Sequence, residues 1–190
     1  LGKSNKKLCF DQFVDGFISI NDEYIISYDF DSVEDILVKL LKAYNLTISF
    51  AESCTGGLMA ATLINISGAS DVIKESYVTY SEAAKMKILN VQKDTLDEFS
   101  VYSKETALEM AKGLSEITNA NINVSITGLA GGNSFNHNDG SYDSCIIINY
   151  NNKQTIIQIS KHEKGTRNDV RKKQVNYVFY RVIKALKSIL

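Results

Sequence analysis

The sequence predicts an α/β protein: a three-layer α/β/α sandwich on a mixed, mostly parallel sheet, with a C-terminal antiparallel hairpin and a long terminal helix. Three observations predict it. Short β-branched runs alternate with helical-period segments from about Ser32 onward, two neighbouring strand-like runs follow near the end, and an apolar helical repeat closes the chain.

The elements follow in order. Residues 1–31 differ in texture and read either as a hairpin or as an irregular N-terminal arm, lysine-rich at first and then carrying Phe17-Ile18-Ser19-Ile20 and Tyr24-Ile25-Ile26-Ser27-Tyr28 around the turn-like Asn21-Asp22. Residues 32–190 make the main domain. Asp31-Ser32 caps an amphipathic helix with Val33, Ile36, Leu37, Leu40 and Leu41 on one face. Leu46 to Phe50 reads as a strand, Leu58 to Ile66 as a helix, Tyr77 to Tyr80 as a second strand, and Ser81 to Leu89 as a helix. Ser103 caps a helix to about Ile117, and Ile122 to Thr127 is a third strand running into glycines. Asn133 to Ser141 reads as a loop with the turn pair Asp139-Gly140. Cys145 to Asn149 and Thr155 to Ile159 pair as a hairpin, and Arg167 to Ile189 is the terminal helix.

Composition bounds the function. Lys plus Arg total 21 against 22 Asp plus Glu, a net charge of -1, so no whole-chain field favours nucleic acid or an anionic membrane. A small, locally recognised partner fits better. Three widely spaced cysteines, Cys9, Cys54 and Cys145, argue against a disulfide framework or zinc cluster and fit a reducing cytoplasm. No apolar run is long enough to span a bilayer.

The segment Ala51-Glu52-Ser53-Cys54-Thr55-Gly56-Gly57 sets a hydroxyl and a thiol beside a glycine pair where a strand hands over to a helix. Ser53 is expected on or just before the helix N-terminus, where unpartnered N–H groups and the macrodipole stabilise an oxyanion or phosphate. Ser53, Tyr80 and Thr127 all fall at strand carboxyl ends, the edge at which open α/β sheets bind ligands.

The hexapeptide Glu52 to Gly57 resembles the signature of the CinA carboxy-terminal domain family, the nicotinamide mononucleotide amidohydrolases of bacterial pyridine-nucleotide salvage. The resemblance continues through Val78-Thr79-Tyr80-Ser81 with Lys85 behind it, Ser125-Ile126-Thr127-Gly128-Leu129-Ala130-Gly131, and Gly165-Thr166-Arg167-Asn168-Asp169-Val170-Arg171. It implies a cytoplasmic amidohydrolase needing neither cofactor nor metal. It also implies that residues 1–31 are the remnant of a preceding domain, since a similar segment closes that domain in multidomain relatives.

Hydrolysis of a carboxamide needs a nucleophile, a base, oxyanion stabilisation and a proton for departing ammonia. The two histidines, His137 and His162, lie outside the matched motifs, and a desolvated lysine can replace histidine as base. The reading is therefore Ser53 as nucleophile, Lys85 as general base and acid, and Tyr80 as orienting or relaying group. On spacing alone Ser53 reads equally as an N-cap and Lys85 more readily as a solvated helix lysine; the resemblance favours the functional reading of both. Cys54 is the rival nucleophile, although its side chain should point elsewhere. Thr55, Gly56, Gly57, Thr127 and Gly128 are expected to line the substrate site. Arg167 and Arg171, spaced i, i+4 on the last helix, are expected to hold the phosphate, against the reading of a merely basic surface.

Two departures from the family's pattern stand out. Residues 132–143 replace a proline- and glycine-bearing stretch, and Glu82 replaces an asparagine, setting a carboxylate one turn from Lys85 that would raise its pKa. His137, Asp139 and Asp143 match no metal template. The alternatives to the amidohydrolase are a degenerate domain that binds a pyridine nucleotide without hydrolysing it and an amidase for another small carboxamide. A Walker-type phosphotransferase, hinted at by Gly2-Lys3-Ser4, lacks the upstream strand and glycine loop. Apolar faces on the terminal helix fit a homodimer.

Overall fold

The computed structural model describes residues 31–131 and 139–190. Residues 1–30 of the arm, with Gly2-Lys3-Ser4 and Cys9, and residues 132–138, with His137, lie outside the described residues. Ser32 caps α1 (Val33–Ala43) in a reciprocal box with Asp35. Then follow β1 (Ile48–Glu52), α2 (Leu58–Leu63), β2 (Ile73–Val78), α3 (Glu82–Leu89), α4 (Lys93–Phe99), α5 (Lys104–Thr118), β3 (Ile122–Gly128), β4 (Asp139–Tyr150), β5 (Lys153–Lys164) and α6 (Arg167–Ile189).

The five strands form one sheet in the order β2-β1-β3-β4-β5. β1 pairs parallel with β2 and β3, whereas β4 runs antiparallel to both β3 and β5. Four strands therefore point one way and β4 alone opposes them, which gives the expected mixed sheet. One face packs Ile48, Phe50, Val124, Ile126, Ile146 and Ile159 against α1, α2 and α6; the other packs Ala51 and Ile147 against α3, α4 and α5. Among the described residues no helix is long and apolar enough to cross a membrane.

β3 shows how the two faces differ. Its apolar residues Ile122, Val124 and Ile126 enter the first layer, while the alternate residues Asn123, Ser125 and Thr127 are buried and polar. Each of those three is satisfied locally: Asn123 Nδ2 donates to Ala120 O, Ser125 Oγ to Ala107 O and Thr127 Oγ1 to Val101 O. The polar alternation thus bonds β3 to α5 and to the segment leading into it.

Several expected boundaries move. β2 begins at Ile73 and ends at Val78, earlier than Tyr77–Tyr80, because Lys74 and Glu75 of this edge strand face solvent and blur the apolar signal. α2 begins at Leu58, so Ser53 precedes it by a whole turn-rich segment instead of capping it. The expected loop through Ser141 gives way to strand from Asp139, since Asp139, Gly140 and Ser141 pair with Lys164, Glu163 and His162. Asp139-Gly140 is accordingly no turn. The hairpin reverses at Asn151-Asn152, whose φ values of 50° and 59° are those of a primed turn. α4 escaped the periodicity because seven residues with no side-chain cap carry little helical signal.

Gly113 lets α5 lie against the end of α3. A Cβ there would meet the Leu89 carbonyl oxygen at 1.9 Å and its carbon at 2.6 Å, backbone atoms that cannot swing aside. Gly113→Ala is expected to destabilise the domain by about 2 kcal/mol or more in urea unfolding, although alanine is the better helix former.

Candidate active site

β1 distributes its side chains to opposite layers, and the chain continues that alternation past the strand's end. Glu52 turns toward α2, where its carboxylate accepts the N–H groups of Met59 at 3.0 Å and Ala60 at 3.0 Å. The positive end of α2 is therefore already occupied by the protein's own carboxylate. The expected anion site at that helix start is corrected accordingly. Ser53 turns to the other side, toward α3.

α3 is capped by Ser81, whose Oγ accepts the Ala84 N–H. Lys85 and Leu89, one turn apart, form its buried stripe. Lys85 is 1% exposed and Ser53 5% exposed. Lys85 Nζ lies 3.1 Å from Ser53 Oγ, 2.9 Å from Thr79 O and 3.4 Å from Tyr80 O. Burial holds the Lys85 pKa below its ordinary value; Cys54 and Glu82 oppose that shift without reversing it. The effect expected of Glu82 is thus present in direction but outweighed by desolvation.

Around this pair lies a cavity of about 200 Å³ lined by Ser53, Tyr80, Lys85, Tyr102, Leu129 and Arg167, with Cys54, Val101, Gly128 and Ala130 completing the wall. Ligand pockets of drug size run to roughly 300–1,000 Å³, and this one is smaller. A larger cavity bordered by Leu41, Lys42, Asn45, Thr47 and Asp71 lies at the opposite, amino end of β1, where the Thr47 hydroxyl donates to Asn121 Oδ1.

The remaining sequence-derived candidates separate into wall and frame. Tyr80 is 65% exposed on the cavity wall and meets Lys85 through its backbone carbonyl. Gly128 lines the cavity, whereas buried Thr127 spends its hydroxyl on Val101 O. Thr55 is buried and its carbonyl accepts Arg171 Nη2. Gly56 and Gly57 adopt φ of 59° and 91°, which an L side chain resists, and so shape the turn instead of the wall. Arg167 lines the cavity and donates to Gly131 O at 3.3 Å, while Arg171 faces the Ser53 turn. The first turn of α6 is closed locally, for Thr166 Oγ1 accepts the Asp169 N–H.

Cys54, although it borders the cavity, differs chemically from Ser53. Its thiol donates to Gln174 Oε1 at 3.6 Å, and burial pushes its pKa up to about 12, leaving no thiolate at neutral pH. Asp143 accepts Ser160 Oγ across the hairpin. Among the described residues no three His, Cys, Asp or Glu side chains gather as a metal site would require.

Sequence reasoning missed Glu52 as a cap, Val101 and Tyr102 as wall, and Gln174 as a buried polar link. Tyr102 is an exposed aromatic immediately before the Ser103 cap, a signal available in the sequence. Gln174 offered none, because a glutamine amid Lys172, Lys173 and Asn176 reads as surface.

The chain matches the family described as the CinA C-terminal domain over residues 30–186. It is 49% identical over 109 residues to a CinA-like protein of Kosmotoga olearia, an overlap of 57% of this chain and 26% of that protein. The chain thus spans about a quarter of the length of the curated relatives it matches. Among solved structures, the competence/damage inducible protein CihA from Agrobacterium tumefaciens superposes with a TM-score of 0.71 at 30% identity, covering 85% of this chain and 99% of that one. A competence or damage-inducible protein from Enterobacter asburiae gives 0.70 at 28% identity, covering 82% and 99%. The sequence match across the sheet, the shared architecture and the residues gathered at the carboxyl ends of β1 and β3 agree: this chain belongs to the CinA C-terminal domain family.

Proposed function

We propose that the chain hydrolyses the carboxamide of nicotinamide mononucleotide to nicotinic acid mononucleotide and ammonia through a Ser53 acyl-enzyme. The observation that carries this reading is the 3.1 Å approach of a buried Lys85 amine to Ser53 Oγ. The choice of substrate rests on the family resemblance.

The three neighbours of Lys85 Nζ define its task. Thr79 O and Tyr80 O can only accept, so a neutral amine gives them its two N–H groups and turns its lone pair toward the Ser53 hydroxyl. The Ser53 proton passes to Nζ as Oγ bonds to the amide carbon. The resulting ammonium then protonates the amide nitrogen as the C–N bond breaks and ammonia leaves. Water, deprotonated by the same amine, cleaves the ester and regenerates Ser53. Tyr80 and Tyr102 flank the cavity mouth and suit a planar ring, and Arg167 suits the phosphate outside it. Such a substrate pool would be cytoplasmic.

Purified protein is expected to release ammonia from nicotinamide mononucleotide, with Ser53→Ala reducing kcat by about 10³-fold or more and Lys85→Ala by about 10²–10⁴-fold. Nucleotide binding without release from the wild type would instead favour the non-hydrolysing binding domain.

The neutral amine is the active form, and burial lowers its pKa. Activity should therefore rise with pH through a midpoint below the ordinary lysine value of 10.5. Glu82→Gln removes a charge that favours the ammonium, so it should move the midpoint of the kcat/KM profile to lower pH. Arg167→Ala should raise KM about tenfold or more and leave kcat within about threefold, as loss of a charge-assisted phosphate contact requires.

A further inference from the structure

α6 reaches the site with side chains at successive turns, and they do different things. Arg167, at the rim, borders the cavity. Arg171, one turn on, is half-buried and absent from the cavity wall, and its Nη2 donates to the Thr55 carbonyl. The guanidinium lies so close over the turn that a Cβ on Gly56 would sit 3.4 Å from Nη2. Gln174, a turn further, is 0% exposed; its Nε2 donates to Leu129 O at 3.4 Å while its Oε1 accepts the Cys54 thiol.

Thr55 and Cys54 belong to the turn that carries Ser53, and Leu129 belongs to the segment that follows β3 and forms the facing wall. One stripe of α6 therefore grips both halves of the site from behind. The turn has few other ties: Ser53 N–H donates to Ile126 O, Gly56 N–H to Ser53 O and Leu58 N–H to Thr55 O. Thr55 O thus accepts both the Leu58 amide and the Arg171 guanidinium. A charge-assisted bond is the strongest of these, and it acts on the carbonyl two residues from the nucleophile.

We propose that Arg171 and Gln174 are positioning residues that clamp the Ser53 turn to the end of β3, and that Arg171 is not a ligand of the substrate's phosphate. The kinetic part of this inference rests on the amidohydrolase reading; the structural part does not. A turn misplaced by 1 Å withdraws Ser53 Oγ from Lys85 Nζ and from the amide carbon, which slows the chemical step without weakening contacts at the rim. A phosphate ligand would behave in the opposite way.

The test compares the full chain with its Arg171→Ala, Arg171→Lys and Gln174→Leu variants by amide hydrogen exchange and by steady-state hydrolysis of nicotinamide mononucleotide. Exchange at Gly56 and Leu58 should quicken about tenfold or more in Arg171→Ala, with the α5 amides unchanged, the loss expected for one charge-assisted bond. Arg171→Lys, which keeps a cation near the carbonyl, should recover part of the protection. In Gln174→Leu the quickening should appear at Leu129, whose N–H donates to Ser141 O. For both Arg171→Ala and Gln174→Leu, kcat should fall about tenfold or more while KM stays within about threefold. Unchanged exchange at Gly56 and Leu58 in Arg171→Ala, or a tenfold rise in KM with kcat retained, overturns the proposal. Should Arg171→Ala fail to fold, Arg171→Lys decides by the same readouts. Should the wild type release no ammonia, the substrate reading fails and exchange alone decides the clamp.

Discussion

Placing an amine where water is excluded is the constraint on which this site depends. Lys85 Nζ sits among three oxygens, two of them carbonyls from the segment between β2 and α3, the helix that carries the lysine itself. A buried lysine surrounded by apolar groups would simply lose its proton and rest. Here the carbonyls hold the nitrogen in one orientation, while desolvation makes the proton easy to give up. Ionisation and direction are thereby set by separate atoms. Removing water tunes the amine; the Thr79 and Tyr80 carbonyls aim it.

That arrangement requires β1 and α3 to meet, and the sheet order ensures it. β2 lies beside β1, so the chain leaving β2 emerges next to the end of β1. The Thr79 N–H donates to Glu52 O at 2.8 Å, locking the two strand ends together just before they diverge. Glu52 then faces α2 and Ser53 faces α3. The Glu52 carboxylate holds the start of α2 from one side of the turn while Arg171 holds the Thr55 carbonyl from α6. A five-residue turn with two left-handed glycines has little order of its own. Its geometry comes from groups in three different layers.

The parts legible in the sequence were those with local causes. The Ser32, Ser81 and Ser103 caps, the uninterrupted stripe of α6 and the β-branched run of β3 all express themselves within a few residues. The Ser53–Lys85 pair is legible only through motif resemblance, since nothing within α3 distinguishes a buried lysine from a solvated one. What stayed hidden was set by distant partners. Glu52 looks like an acid ending a strand until α2 folds onto it, and Gln174 looks like surface until Leu129 and Cys54 close over it. The length of β4 depended on pairing with β5 across Asn151-Asn152, a register that the polar residues Asp139 to Asp143 did not announce.

The adjacency of Ser53 and Cys54 tests whether reactivity here follows from residue type or from environment. Cysteine is the better nucleophile in water, yet the two side chains leave the turn in different directions and meet different neighbours. Serine meets an amine whose pKa is depressed. Cysteine meets the Gln174 side-chain carbonyl in a buried setting, and that burial raises its own pKa to about 12. The thiol stays protonated at neutral pH, whereas the Ser53 hydroxyl lies 3.1 Å from the Lys85 amine. Exchanging the two residues would therefore not exchange their roles: a serine at 54 would still face Gln174, and a cysteine at 53 would inherit the amine. Which of the two side chains meets the amine is decided by the direction in which it leaves the turn.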